Sequence, residues 1–253
     1  MPPMFPLHDE NERGHGPAFV TLAIIALNVF VFFVLQGAGA SVDGNAFTWG
    51  FAAVPYEITN GVDLVGPQPI TVDGQPFQVP HEPGPDPIWL TLLTSIFMHG
   101  GLLHLGGNML FLWIFGDNVE HRVGHVVYAI FYLAAGVVAS WAQILVNTDS
   151  IIPTLGASGA IAGVMGAYLV LFPGNRVLVL LIRFPVWVPA IVAIGMWAAL
   201  QVLGGFGAPT EAGGVAYMAH IGGFVAGLVG GALFRVLFNE PRHPRGTPAG
   251  LYR

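Results

Sequence analysis

Apolar residues do not alternate with polar ones along this chain; they come in long runs separated by short polar segments. Six such runs can be drawn, at Pro17–Gly37, Leu102–Asn118, Val123–Val146, Gly156–Phe172, Val186–Leu203 and Val215–Phe238. Most approach the roughly 20 residues a helix needs to cross a bilayer. The pattern predicts an all-α membrane protein of six transmembrane helices. Between the first two runs lies a long segment, 38–98, rich in Gly, Pro and acids over residues 38–88. Within it Ile70 to Phe77 suits a hairpin around Asp73-Gly74, and Ile88–Met98 is apolar but too short to span. The domain plan is a tail over 1–16, a membrane unit over 17–238 with its long loop at 38–98, and a tail over 239–253.

Charge orients the bundle. All eight basic residues are arginines: Arg13, Arg122, Arg176, Arg183, Arg235, Arg242, Arg245 and Arg253. Six spans place every one on the same side. The other side holds Asp43, Glu57, Asp63, Asp73, Glu82, Asp86, Asp149 and Glu211. Arginine-rich loops stay in the cytoplasm, so both termini are expected there. Five or seven spans would scatter the arginines over both faces. The first run exceeds a signal-peptide core and follows an acidic tail, so it is expected to be retained. The absence of a transit peptide and the compact plan point to a prokaryotic inner or plasma membrane.

Composition narrows the chemistry. Of 253 residues 54% are hydrophobic and 9% charged, with a mean hydropathy of +0.69, whereas soluble domains carry about 25% charge. The surface therefore faces lipid. A net charge of -6 argues against nucleic acid as a partner. Without cysteine there is no disulfide, thiolate ligand or thiol nucleophile.

Polar groups inside spans are expensive and are functional candidates. Four stand out: His104 and Asn108 in the second run, Ser158 in the fourth and His220 in the sixth. Even-numbered spans run inward from the outer side, so at 1.5 Å per residue all four lie roughly 3–10 Å below the outer helix ends. His104 and Asn108 share one helical face. Taken singly, Ser158 could bond back to a carbonyl one turn earlier, and the His and Asn side chains could hold neighbouring helices together. A metal site from His99, His104 and His220 lacks a carboxylate or thiolate and any familiar spacing, so no metal and no cofactor are expected. Convergence at one depth favours chemistry. Serine needs a base to take its proton, which imidazole does near neutral pH. Attack on a peptide carbonyl creates an oxyanion that needs aimed donors. Ser158 supplies the nucleophile, His220 the base, and His104 with Asn108 the donors. No carboxylate lies near this depth in the even spans, so a dyad is expected rather than a triad. Small-residue strips at Gly159, Gly163, Gly166 and at Gly223, Gly227, Gly231 suit backbone-to-backbone packing of the two helices that carry Ser158 and His220.

These residues sit in recognisable motifs. His99-Gly100-Gly101-Leu102-Leu103-His104, followed by Asn108, resembles the HGGxxHxxxN pattern of the rhomboid intramembrane proteases. Glu120-His121-Arg122-Val123-Gly124 resembles their ExRxG pattern, Gly156-Ala157-Ser158-Gly159 their GxSG motif and Ala219-His220-Ile221-Gly222-Gly223 their AHxxG motif. The order is the family's, over roughly residues 90–238. The resemblance implies a six-transmembrane-helix rhomboid-like bundle with a long first external loop. It also implies a catalytic Ser158–His220 dyad, with an oxyanion held by His104, Asn108 and the Ser158 backbone N–H. It further implies a water-filled cavity opening to the outer side, and substrates that are single-span transmembrane proteins with a locally unstable helix. Two departures leave supports unassigned. Leu90-Thr91 stand where the family often has Trp-Arg, and Ala162 stands where an aromatic often packs on the catalytic histidine. Rival readings are a relative that binds membrane clients without cutting them, and a small-solute transporter. The latter would call for acidic residues in the spans or an internal repeat.

Overall fold

The computed structural model describes residues 4–10, 16–72, 74–207 and 215–238. Arg13, Asp73, Glu211 and the tail 239–253 with its three arginines lie outside the described residues. The chain is mostly helical. In order it forms β1 (Met4–Asp9), α1 (Phe19–Phe30), α2 (Val42–Phe51), α3 (Pro55–Asn60), β2 (Gln68–Val72), β3 (Gln75–Val79) and α4 (Thr91–Thr94). There follow α5 (Leu102–Val123), α6 (His125–Ile144), α7 (Ser158–Leu171), β4 (Arg176–Leu181), β5 (Phe184–Pro189), α8 (Ala190–Gly207) and α9 (Tyr217–Leu237).

Each of the six apolar runs contains a helix. Helices α6 and α9 are long and apolar enough to cross a bilayer unaided, and α5 joins them if it is counted with the Ile88–Phe97 segment, from which it is bent by 79°. The stretches Phe19–Leu35, Ser158–Leu171 and Ala190–Gly205 are shorter apolar helices. Outward faces carry large apolar side chains such as Val126, Val229 and Val236, 72%, 58% and 77% exposed. Such a belt suits lipid and would be a liability in water.

Helix α7 is the hub, buried from Gly159 through Tyr168. Glycine makes this possible. A Cβ on Gly223 would fall on the Gly159 carbonyl oxygen, and one on Gly227 on that of Gly163. Helices α7 and α9 therefore touch backbone to backbone, which residues with side chains would forbid. At the far end of α5, the buried Glu120 carboxylate accepts from the Val20 N–H (2.9 Å), the Thr21 N–H (2.7 Å) and the Thr21 hydroxyl (2.7 Å). It thereby satisfies donors that the start of α1 leaves open.

The all-α expectation needs correction. A three-stranded antiparallel sheet, order β1-β4-β5, lies between α7 and α8 in sequence and recruits the N-terminal segment as an edge strand. The expected fifth span over Val186–Leu203 accordingly begins at Ala190, because residues 184–189 pair with β4. Asp9, at the end of β1, accepts from Asn118 Nδ2 (2.7 Å) and the Tyr168 hydroxyl (2.6 Å). Burial pushes its carboxyl up to about 7. The fourth helix starts at Ser158 rather than Gly156, the third at His125 after Gly124, and the second runs on to Val123. The expected hairpin forms, with Val72 paired to Gln75 and Gly74 at φ +76°.

The long loop is anchored without a Trp-Arg pair. The Gln36 amide clasps the His99 backbone both ways, Nε2 donating to its carbonyl (3.1 Å) and Oε1 accepting from its N–H (2.9 Å). Ala53 and Thr154 exchange backbone hydrogen bonds at 3.0 and 2.8 Å, and Thr94 Oγ1 donates to the Phe51 carbonyl at 2.7 Å. Inside the loop, buried Glu57 accepts from the Leu64 N–H (3.1 Å) beside the His81 ring (3.7 Å). Burial first, and then the charge of Asp63, push the Glu57 carboxyl up from 4.5 to about 7 against the pull of the Leu64 N–H. Burial also holds His81 below its usual value.

The folded value of Glu57 lies above the unfolded one, so the fold favours the protonated acid. That stabilisation is complete below about 4.5 and is lost as pH rises through about 7. Local opening of residues 62–66, followed by amide exchange corrected for intrinsic rates, is expected to increase between pH 5 and pH 8. Glu57→Gln should flatten the dependence. Equal protection of the wild-type loop at both pH values would refute the assignment.

Candidate active site

Three helix starts meet at one end of the bundle. Ser158 is the first residue of α7, where backbone N–H groups lack intrahelical acceptors and the helix dipole favours negative charge. Gly156 leads into it with φ +133°, a conformation that favours glycine, and its N–H donates to the Ser95 carbonyl at 2.9 Å. His220 lies in the first turn of α9, and its Nε2 is 2.7 Å from Ser158 Oγ. The pair is 62 residues apart in sequence. The α7–α9 glycine contact brings it together.

His104 lies in the first turn of α5. Its Nδ1 accepts from the Gly100 N–H at 3.4 Å, which leaves Nε2 to carry the proton. That Nε2 faces Gly156: a Cβ built there would be 3.0 Å from it and 3.7 Å from Ser158 Oγ. A larger residue at 156 would fill the space between the His104 donor and the serine. Asn108, one turn further along the same face, is buried, and its Nδ2 has no hydrogen-bond partner among the described residues. An unmet buried donor is costly, and a ligand oxygen would satisfy it. His99 backs His104 edge to face, with ring centroids 5.0 Å apart.

Two contributors on α8 escape a reading of the sequence. Trp197 lies against His220 with ring centroids 5.9 Å apart and against Phe224 at 6.0 Å. Gln201 Oε1 is 2.7 Å from His220 Nδ1. A lone Gln one turn after a Trp is a signal too weak to notice without its partner.

Apolar helices that bring a serine and a histidine together where two glycine-packed helices begin define a helical membrane protein with a buried polar site. The Rhomboid domain matches residues 87–236, and the chain belongs to the rhomboid family. It is similar to Rhomboid protein 1, mitochondrial, of Saccharomyces cerevisiae, at 30% identity over 169 residues, covering 64% of this chain and 47% of that protein. Rhomboid protease GluP of Bacillus subtilis is 35% identical over 145 residues, 57% of this chain and 26% of GluP. RHOMBOID-like protein 1 of Arabidopsis thaliana is 31% identical over 167 residues, 64% of this chain and 40% of that protein. The chain thus spans between 26% and 47% of the length of these relatives.

Proposed function

We propose that this protein is an intramembrane serine endopeptidase that cuts single-span membrane proteins near the outer face of the membrane. The observation that carries the reading is the 2.7 Å contact between Ser158 Oγ and His220 Nε2 at the start of α7. In the proposed reaction Ser158 Oγ attacks the scissile carbonyl carbon as its proton passes to His220 Nε2. The oxyanion takes hydrogen bonds from His104 Nε2, Asn108 Nδ2 and the Ser158 N–H. The C–N bond then breaks, the amine leaving with the proton held on His220, and water hydrolyses the acyl-serine by the reverse sequence. No metal or cofactor enters.

Six spans with both termini in the cytoplasm form the supporting frame, as one membrane unit over 17–238 between tails 1–16 and 239–253. Arg122 and Arg235 lie in the last turns of α5 and α9, and Arg176 and Arg183 follow the end of α7, at the ends of these helices away from Ser158 and His220. Helix α7 has only 14 residues, about 21 Å of rise against a hydrocarbon core of about 30 Å. A helix that short, ending at the arginine side, leaves its serine recessed below the outer surface, where a substrate helix must unwind to reach it. A prokaryotic inner or plasma membrane suits this plan.

The purified protein should label with a fluorophosphonate probe, and labelling should require both Ser158 and His220. A relative that binds clients without cutting them would show no such dependence. Within the active protein, Asn108→Ala is expected to lower kcat about 10²- to 10³-fold with KM little changed, the usual effect of losing one oxyanion donor. An unchanged kcat on a single-span reporter would remove Asn108 from the oxyanion site.

A further inference from the structure

Resting on the proposed dyad, we infer that Gln201 is a positioning residue that fixes the protonation geometry of His220 through its side-chain amide. A histidine that accepts a proton at Nε2 must carry its own proton on Nδ1, and the two neutral tautomers are otherwise close in energy. Something has to accept from Nδ1. In a buried apolar site a carboxylate would bring a charge that costs several kcal/mol to desolvate, and among the described residues the His220 ring hydrogen-bonds only Gln201 and Ser158. Gln201 Oε1 stands 2.7 Å from Nδ1 and supplies the acceptor without charge.

The direction of that contact is settled by a second hydrogen bond. An amide oxygen and nitrogen differ little in shape, so their assignment rests on the partners. Gln201 Nε2 is 3.3 Å from the Trp197 carbonyl oxygen, a group that only accepts. The NH₂ end must therefore face Trp197, and the oxygen faces His220. His220 Nδ1 is then the donor, Nε2 presents its lone pair, and the Ser158 hydroxyl donates along the 2.7 Å contact. The chain of four groups runs in one sense, from the serine proton through the imidazole and the amide to a backbone carbonyl. When His220 becomes an imidazolium, Nδ1 keeps its acceptor and the ring does not turn.

Helix α8 contributes twice to this arrangement. Trp197 presents its carbonyl to Gln201 and its ring to His220, tilted by 39°, so the same turn supports the imidazole through both a hydrogen bond and a ring contact. Both elements of the support belong to one helix, whereas the reacting pair belongs to α7 and α9. A shift of α8 relative to α9 would release the base without touching the serine.

The direct test is ¹⁵N-histidine NMR of the full chain in lipid nanodiscs, with His220→Ala assigning the resonance. The Nδ1–H tautomer is expected in the wild type. An Nε2–H or evenly mixed tautomer would overturn the inference, whatever the variants do. Gln201→Leu keeps the volume and removes the acceptor. It should redistribute the tautomers and lower kcat about 10- to 100-fold with KM little changed, while Gln201→Glu, which retains an acceptor oxygen, should restore the Nδ1–H tautomer. If wild-type protein cleaves its reporter and Gln201→Leu does so with the same kcat and the same tautomer, Gln201 is a packing residue and the dyad stands alone. Failure of the wild type to label or cleave would instead strike the endopeptidase reading and leave the tautomer result to be judged separately.

Discussion

Ser158→Ala is expected to reduce cleavage of a single-span reporter by about 10⁴- to 10⁶-fold, with expression and helical content unchanged. The substitution removes one oxygen from a half-buried position at the start of α7 and leaves the glycine contacts to α9 intact. The helix should not notice it. His220→Ala should cause a loss of similar size, and the double variant should be no worse than either single one, because nucleophile and base act as one unit. Residual turnover of the double variant would come from the oxyanion donors alone. Quantitative gel assays of reconstituted protein measure all three, and full activity in Ser158→Ala would end the proposed mechanism.

Gly227→Ala is expected to cost about 100-fold from a position far from the chemistry. Its new Cβ would lie 2.7 Å from the Gly163 carbonyl carbon and closer still to the oxygen, with 2.9 Å to the Gly163 Cα. Favourable carbon contacts lie at about 3.5–4.0 Å. Backbone on both sides cannot yield as a flexible side chain would, so α7 and α9 must separate. Overpacking of this kind costs about 1–3 kcal/mol, and a displacement of about 1 Å between reacting groups costs about 100-fold in rate. Probe labelling should fall by that order and thermal stability in detergent should drop. Gly195→Ala in α8, where an added Cβ meets nothing within 4 Å, serves as the control and should be neutral or stabilising. Equal activity of the two variants would show that the glycine seam does not set the Ser158–His220 distance.

The residues of the candidate site stood out in the sequence for a simple reason. In an apolar run each Ser, His or Asn breaks the pattern and calls for a partner or a task. Ser158, His220, His104 and Asn108 could be found this way, and the four motifs fix their order. The three-stranded sheet could not be found by the same means. Residues 176–181 and 184–189 are apolar and rich in β-branched and aromatic side chains, and hydropathy alone does not distinguish such a run from the start of a span. The partner strand lies some 170 residues earlier, at Met4–Asp9, in a segment that looks like a polar tail.

The run lengths and the polar interruptions determined that this is a helical membrane protein and which side chains carry candidate chemistry, because a bilayer imposes rules that act on each segment by itself. Tertiary structure decided the rest. The 2.7 Å approach of Ser158 to His220 and the 2.7 Å approach of Gln201 Oε1 to His220 Nδ1 each depend on which helix faces lie together. That choice is made by contacts between distant residues, through close packing and hydrogen-bond direction, and no local pattern encodes it.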